Sequence, residues 1–158
     1  MKILILASGL LLTSATQASN NQWVTYSKKI LKQYEAECKI ASITVEEIVK
    51  NSHIKGYVTG LPDSALEDFR MIFYVKTKNW YVHPYIYNQN QPSGYSYSDL
   101  TAGGNFWIRS VLRTPAKEMV AILVPSPHYI YSEKSKMKDL LKYACTHVII
   151  PGNGEFSP

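Results

Sequence analysis

The sequence predicts a mainly β domain, an antiparallel sandwich with two flanking helices. Three observations lead there. Between Lys39 and Val124, short runs of β-branched and aromatic residues alternate with clusters of Gly, Pro, Asn, Asp and Ser, the texture of successive strands and turns. Helical periodicity is confined to Trp23–Glu37 and Glu133–Ala144, at either end of that region. The two cysteines, Cys38 and Cys145, sit at the ends of those two segments, so a bridge between them would pin both helices to the strands.

Residues 1–18 stand apart from this domain. Lys2 precedes an apolar run from Ile3 to Leu12, and Thr16-Gln17-Ala18 places small residues where a signal peptidase cuts. A membrane span takes about 20 apolar residues, and this run breaks at Thr13-Ser14. The pattern is that of a secretory signal peptide over 1–18, with an uncleaved anchor as the alternative. The expectation is one exported domain over 19–158: an N-terminal helix (19–37), a sandwich core (38–124), then a helix, a last strand and a tail (125–158). The style of the leader suggests a periplasmic or secreted protein with no stable membrane insertion.

Export changes the meaning of the cysteines. In an oxidising compartment an even count reads as a disulfide rather than as two buried thiols. Closing a loop of about 100 residues contributes about 4–5 kcal/mol in the chain-entropy view. Neither cysteine has metal-ligand spacing, so no metal is expected. The formal net charge is +5. The lysines are scattered, and no RNA-binding signature or long basic block is present, so no nucleic-acid partner is expected.

The elements follow in order. Trp23, Ser27, Ile30, Leu31 and Tyr34 recur at helical spacing while Lys28, Lys29, Lys32 and Glu35 point away, which makes 23–37 an amphipathic helix packed on the domain. Ile40–Val49 is rich in β-branched residues, and His53–Gly60 alternates Ile54, Gly56 and Val58 against His53, Lys55, Tyr57 and Thr59. Gly60–Ser64 is a turn cluster. Phe69–Thr77 is a strong strand, with Phe69, Met71, Phe73 and Val75 on one face and a second face, Arg70, Ile72, Tyr74 and Lys76, that is not cleanly polar. Trp80–Tyr87 alternates again, with Pro84 marking an edge or bulge. After a polar loop over 88–94, Tyr95–Leu100 and Phe106–Arg113 read as strands on either side of the Thr101–Asn105 turn. Met119–Val124 is continuously apolar, the mark of a buried central strand. Glu133–Ala144 reads as the second helix, with Met137, Leu140, Leu141 and Ala144 on one stripe, and His147–Ile150 as the last strand.

The stretch 53–124 resembles immunoglobulin-like β-sandwich domains of exported bacterial proteins. The matching pieces are Gly56-Tyr57-Val58-Thr59-Gly60-Leu61, Ile72-Phe73-Tyr74-Val75-Lys76-Thr77, Trp80-Tyr81-Val82-His83-Pro84-Tyr85, Gly104-Asn105-Phe106-Trp107 and Val120-Ala121-Ile122-Leu123-Val124. The resemblance implies an immunoglobulin-like fold. It brings no catalytic residue, because the class has no single activity. By analogy with the buried tryptophans of such sandwiches, Trp80 and Trp107 are expected in the core.

The sequence carries no nucleophile elbow, zincin helix, EF-hand loop, phosphate loop or dinucleotide fingerprint, and no cofactor is expected. His53, His83, His128 and His147 are far apart in sequence. Glu46 and Glu47, adjacent on a strand, face opposite sides unless a bulge intervenes. The local oddity is aromatic. Tyr81, His83, Tyr85 and Tyr87 share a strand face by alternation, and Tyr95 and Tyr97 could extend it on a neighbour. Aromatic faces with polar tips stack on sugars and anchor interfaces. These six are the candidate ligand-binding residues. Three functions remain: a non-catalytic binding module for a protein or glycan, an accessory component or inhibitor in an envelope or secreted assembly, and a small hydrolase using Ser126 with His83 or His128.

Overall fold

The computed structural model describes residues 13–49, 52–76, 78–83, 97–109, 117–126 and 134–152. The protein is mainly β, built from two antiparallel sheets in a sandwich-like arrangement. Helix α1 (Thr13–Gln33) leads, and spans the expected cleavage point at Ala18. Tyr34, at φ −110° and ψ 32°, separates it from the short α2 (Glu35–Ile40). The ladder continues across this kink, with Tyr34 N–H donating to Ile30 C=O and Cys38 N–H donating to Tyr34 C=O. The stripe read from spacing is the face that packs. Trp23, Ser27, Ile30 and Tyr34 are buried, while Lys28, Lys29 and Lys32 are exposed.

The smaller sheet has the order β1-β2-β6 and the larger β8-β4-β3-β7-β9, with β5 also pairing with β3. The strands are β1 (Ser42–Val49), β2 (His53–Thr59), β3 (Phe69–Lys76), β4 (Trp80–His83), β5 (Ser98–Asp99), β6 (Asn105–Arg109), β7 (Glu118–Pro125), β8 (Lys134–Ser135) and β9 (Thr146–Pro151). Central β3 pairs on one side with β7 along its whole length. On its other side Arg70 and Met71 pair with β5, and Phe73–Lys76 pair with β4. Strand β9, expected outside the sandwich core, completes the larger sheet against β7.

The central strands of the larger sheet, β3 and β7, are buried on both faces. One face contributes Phe69, Met71, Phe73, Met119, Ala121 and Leu123 to a core shared with Ile43, Ile54, Val58, Phe106 and Ile108 of the smaller sheet and with Ile30 and Tyr34 of α1. The other contributes Ile72, Tyr74, Trp80, Val82, Val120, Ile122 and Val124 to a second core, closed by Met137, Leu140, Leu141 and Ala144. That second core explains why the alternate face of β3 lacked a polar pattern. It also buries Trp80, as expected.

The second helix is shorter than expected. Lys134-Ser135 form β8 against Trp80 and Tyr81, and helix α3 holds only Met137–Leu140 before a 3-10 turn over Leu141–Tyr143. Pairing to the open edge of β4 takes the first residues out of the helix, so tertiary contacts override local propensity. The disulfide joins Cys38 of α2 to Cys145, their Cα atoms 4.9 Å apart and 107 residues apart in sequence. Among the described residues, no helix is long and apolar enough to cross a membrane.

Two glycines set the geometry of the smaller sheet. Gly56 of β2 lies opposite Phe106, and a Cβ there would overlap the Thr44 carbonyl and the Phe106 ring. Gly104, at φ 74°, turns the chain from β5 into β6, and its bare Cα lies against the Val58 carbonyl. Both positions exclude a side chain on steric grounds.

Candidate binding face

Strand β6 alternates exposed and buried residues. Phe106 and Ile108 enter the core, and Asn105, Trp107 and Arg109 face solvent. Trp107 is 57% exposed. The expectation of a core tryptophan is therefore corrected. Two-residue periodicity puts Trp107 opposite in sense to its buried neighbours, and among the described residues it stays 57% exposed.

Trp107 is part of an ordered group. Register pairs His53 with Arg109 and Lys55 with Trp107 across β2 and β6. The His53 imidazole stacks on the Trp107 indole with centroids 5.8 Å apart and planes 24° apart. Both imidazole nitrogens are engaged. Nδ1 lies 2.8 Å from Ser52 Oγ and Nε2 lies 3.3 Å from Glu47 Oε2. A neutral ring satisfies both by accepting from Ser52 and donating to Glu47. Glu47 also pairs with Lys55. Hydrogen bonds from Lys55 and then His53 hold the Glu47 carboxyl below the usual range, and the same carboxylate raises the Lys55 ammonium. The result is a sheet face with one ring pair, the Glu47–Lys55 ion pair and Arg109 at the rim.

Glu47 reaches this face because β1 is bulged. Register shifts between Val45 and Glu47, so Val45 opposes Gly56 and Glu47 opposes Lys55. The intervening bulge is the condition under which Glu46 and Glu47 need not point to opposite sides. Both line a cleft of about 450 Å³ between β1 and β9, with Val45, Ile48, Val148 and Ile150. Among the described residues, strands β1 and β9 are terminal strands of their sheets, so two sheet edges flank this cleft.

The six aromatic and histidine candidates are placed differently. Tyr81 is 36% exposed and opposes Val75. Tyr97 is 48% exposed, with the Arg70 guanidinium 3.7 Å from its ring centroid. Val75 and Arg70 occupy opposite faces of β3, so register does not bring Tyr81 and Tyr97 together. The His83 backbone pairs with Phe73, and Tyr85, Tyr87 and Tyr95 lie outside the described residues. Ser126 donates its N–H to the Asp68 carbonyl, and His128 also lies outside the described residues. Among the described residues, no group of three or more His, Cys, Asp or Glu is placed to hold a metal.

Serine, imidazole and carboxylate stand in sequence at Ser52, His53 and Glu47, the order of a nucleophile, base and orienting acid. Glu47 is shared with Lys55, however, and Ser52 is exposed on the turn before β2. Acyl transfer also needs donors aimed at a developing oxyanion. No protein-family model, curated protein or solved structure matches this chain.

Proposed function

We propose that the protein is an exported, non-catalytic binding module of immunoglobulin-like type that meets its target through the outer face of the smaller sheet. The observation that carries this reading is Trp107, exposed on a strand whose apolar neighbours are buried and stacked with His53. An exposed ring, fixed in orientation and bordered by hydrogen-bonding groups, offers contact area at low entropic cost. Residues 1–18 and the Cys38–Cys145 bridge support export. Tyr81 and Tyr97, both exposed, remain separate candidate contacts.

The test compares the disulfide-intact protein with a His53→Ala/Trp107→Ala variant on a glycan array and on immobilised envelope fractions, with circular dichroism as the control for folding. Binding by the wild type that the folded variant has lost supports the reading. Equal binding by both overturns this face as the contact surface. The cleft between β1 and β9 favours the accessory-component reading in one respect. Two sheet edges with aliphatic lining suit an added strand from a partner.

A further inference from the structure

We infer that the ligand of this face is an acidic polysaccharide whose sugar residues carry a carboxylate, with Trp107, braced by the His53 ring, as the stacking platform and Arg109 as the partner of the carboxylate. The inference rests on the binding-module reading and names its ligand class. It starts from the two-by-two block of cross-strand neighbours: His53 opposite Arg109, and Lys55 opposite Trp107. The stacked rings lie on one diagonal and the two fixed cations on the other. Neighbouring strands are about 4.8 Å apart, and next-but-one residues along a strand about 7 Å. A single pyranose lying on the indole is therefore within reach of both cations.

Charge decides between ligand classes. Lys55 is offset by Glu47. Arg109 is exposed on a terminal strand and has no ion pair among the described residues. The block thus offers one uncompensated fixed cation beside one platform. A guanidinium matches a carboxylate through two parallel hydrogen bonds. One such group per sugar suits this balance, whereas a densely sulfated chain would meet the Glu47 carboxylate. Single-stranded nucleic acid also stacks on aromatic rings, but it needs a groove of cations tracking successive phosphates, and of the two cations in this block only Arg109 is without an ion pair among the described residues. Glu47, Ser52 and Tyr57, beside the platform, offer acceptors and donors to sugar hydroxyls.

The experiment measures affinity of the disulfide-intact protein for fragments of polygalacturonate, alginate and hyaluronan, for their methyl-esterified forms, and for single-stranded DNA. The methyl ester keeps the ring and removes the charge. The expected result is binding of at least one free-acid polymer that weakens as salt rises. Trp107→Ala should lower affinity about tenfold or more. Arg109→Gln should lower it about tenfold and flatten the salt dependence. The ester should bind the wild type about as weakly as the acid binds Arg109→Gln. Equal affinity for acid and ester, or no effect of Arg109→Gln, overturns the carboxylate assignment and leaves the binding-module reading standing. Failure of the wild type to bind any of the three acids, or tighter binding of DNA, also overturns the inference, while the array comparison still judges the binding-module reading. Unchanged uronate binding by Trp107→Ala overturns the inference and this face together.

Discussion

The imidazole of His53 lies over the indole of Trp107 on the solvent side of the smaller sheet, 5.8 Å between centroids. A stacked pair in that position contributes little to folding, because most of the indole surface stays wet. Trp107→Ala is expected to lower stability by less than about 1 kcal/mol. Trp80→Ala, in the second core, should cost about 3–5 kcal/mol. Denaturant unfolding of both variants checks the contrast. Similar losses would mean that Trp107 is part of the core after all.

The bridge between Cys38 and Cys145 fixes α2 to the residue that enters β9. Replacing both cysteines by serine should cost about 2–5 kcal/mol, and thiol titration of the unfolded, unreduced protein should find no free thiol. Two reactive thiols would contradict the structure.

Tyr34 donates its hydroxyl to Asp68 at 2.9 Å, and Tyr26 approaches the other carboxylate oxygen at 3.4 Å. These bonds hold α1 against the start of β3. The hydrogen bond to Asp68, with burial next in weight, raises the Tyr34 phenol above its ordinary value of 10.0. A raised acid contributes stability that is present below the ordinary value and is lost as pH rises through the raised one. Tyr34→Phe should cost about 1–2 kcal/mol at neutral pH and reduce the loss of stability at alkaline pH. Identical alkaline unfolding of wild type and variant would overturn this.

Glu47 gives the opposite sign. Its carboxyl is held below the ordinary 4.5 by Lys55 first and His53 second. Its contribution is present above the ordinary value and is lost as pH falls through the lowered one. The pair is exposed, so salt should weaken the effect. Lys55→Met should raise the Glu47 midpoint, read by NMR titration. A midpoint indifferent to Lys55 would remove the ion pair from the account.

Ser52 should stay unlabelled by a fluorophosphonate probe, because the hydroxyl lies on an open turn with its carboxylate partner shared. Labelling of Ser52 that disappears in His53→Ala would replace the non-catalytic reading with a hydrolase.

Periodicity explains how much was legible. Trp23, Ser27, Ile30 and Tyr34 announced the packed helix face because burial follows the helical repeat. The mixed face of β3 carried its second core in Ile72 and Tyr74. Trp107 was misread although Phe106 and Ile108 flank it, because analogy with sandwich tryptophans outweighed the alternation of Asn105, Trp107 and Arg109. The proposed binding face was hidden. Glu47, Ser52, His53 and Trp107 meet only through the bulge in β1 and the register of three strands, and neither is written in any one segment. The helix over 133–144 was shortened by the free edge of β4, again a partner distant in sequence.

The most direct test of the binding face is an amide and indole chemical-shift map of the labelled protein, titrated with the uronate fragments. Perturbations are expected to cluster at residues 53–57 and 105–109, with the Trp107 indole N–H among the largest. An unperturbed spectrum, or shifts confined to Tyr81 on β4 or to Tyr97 beside β5, would contradict it.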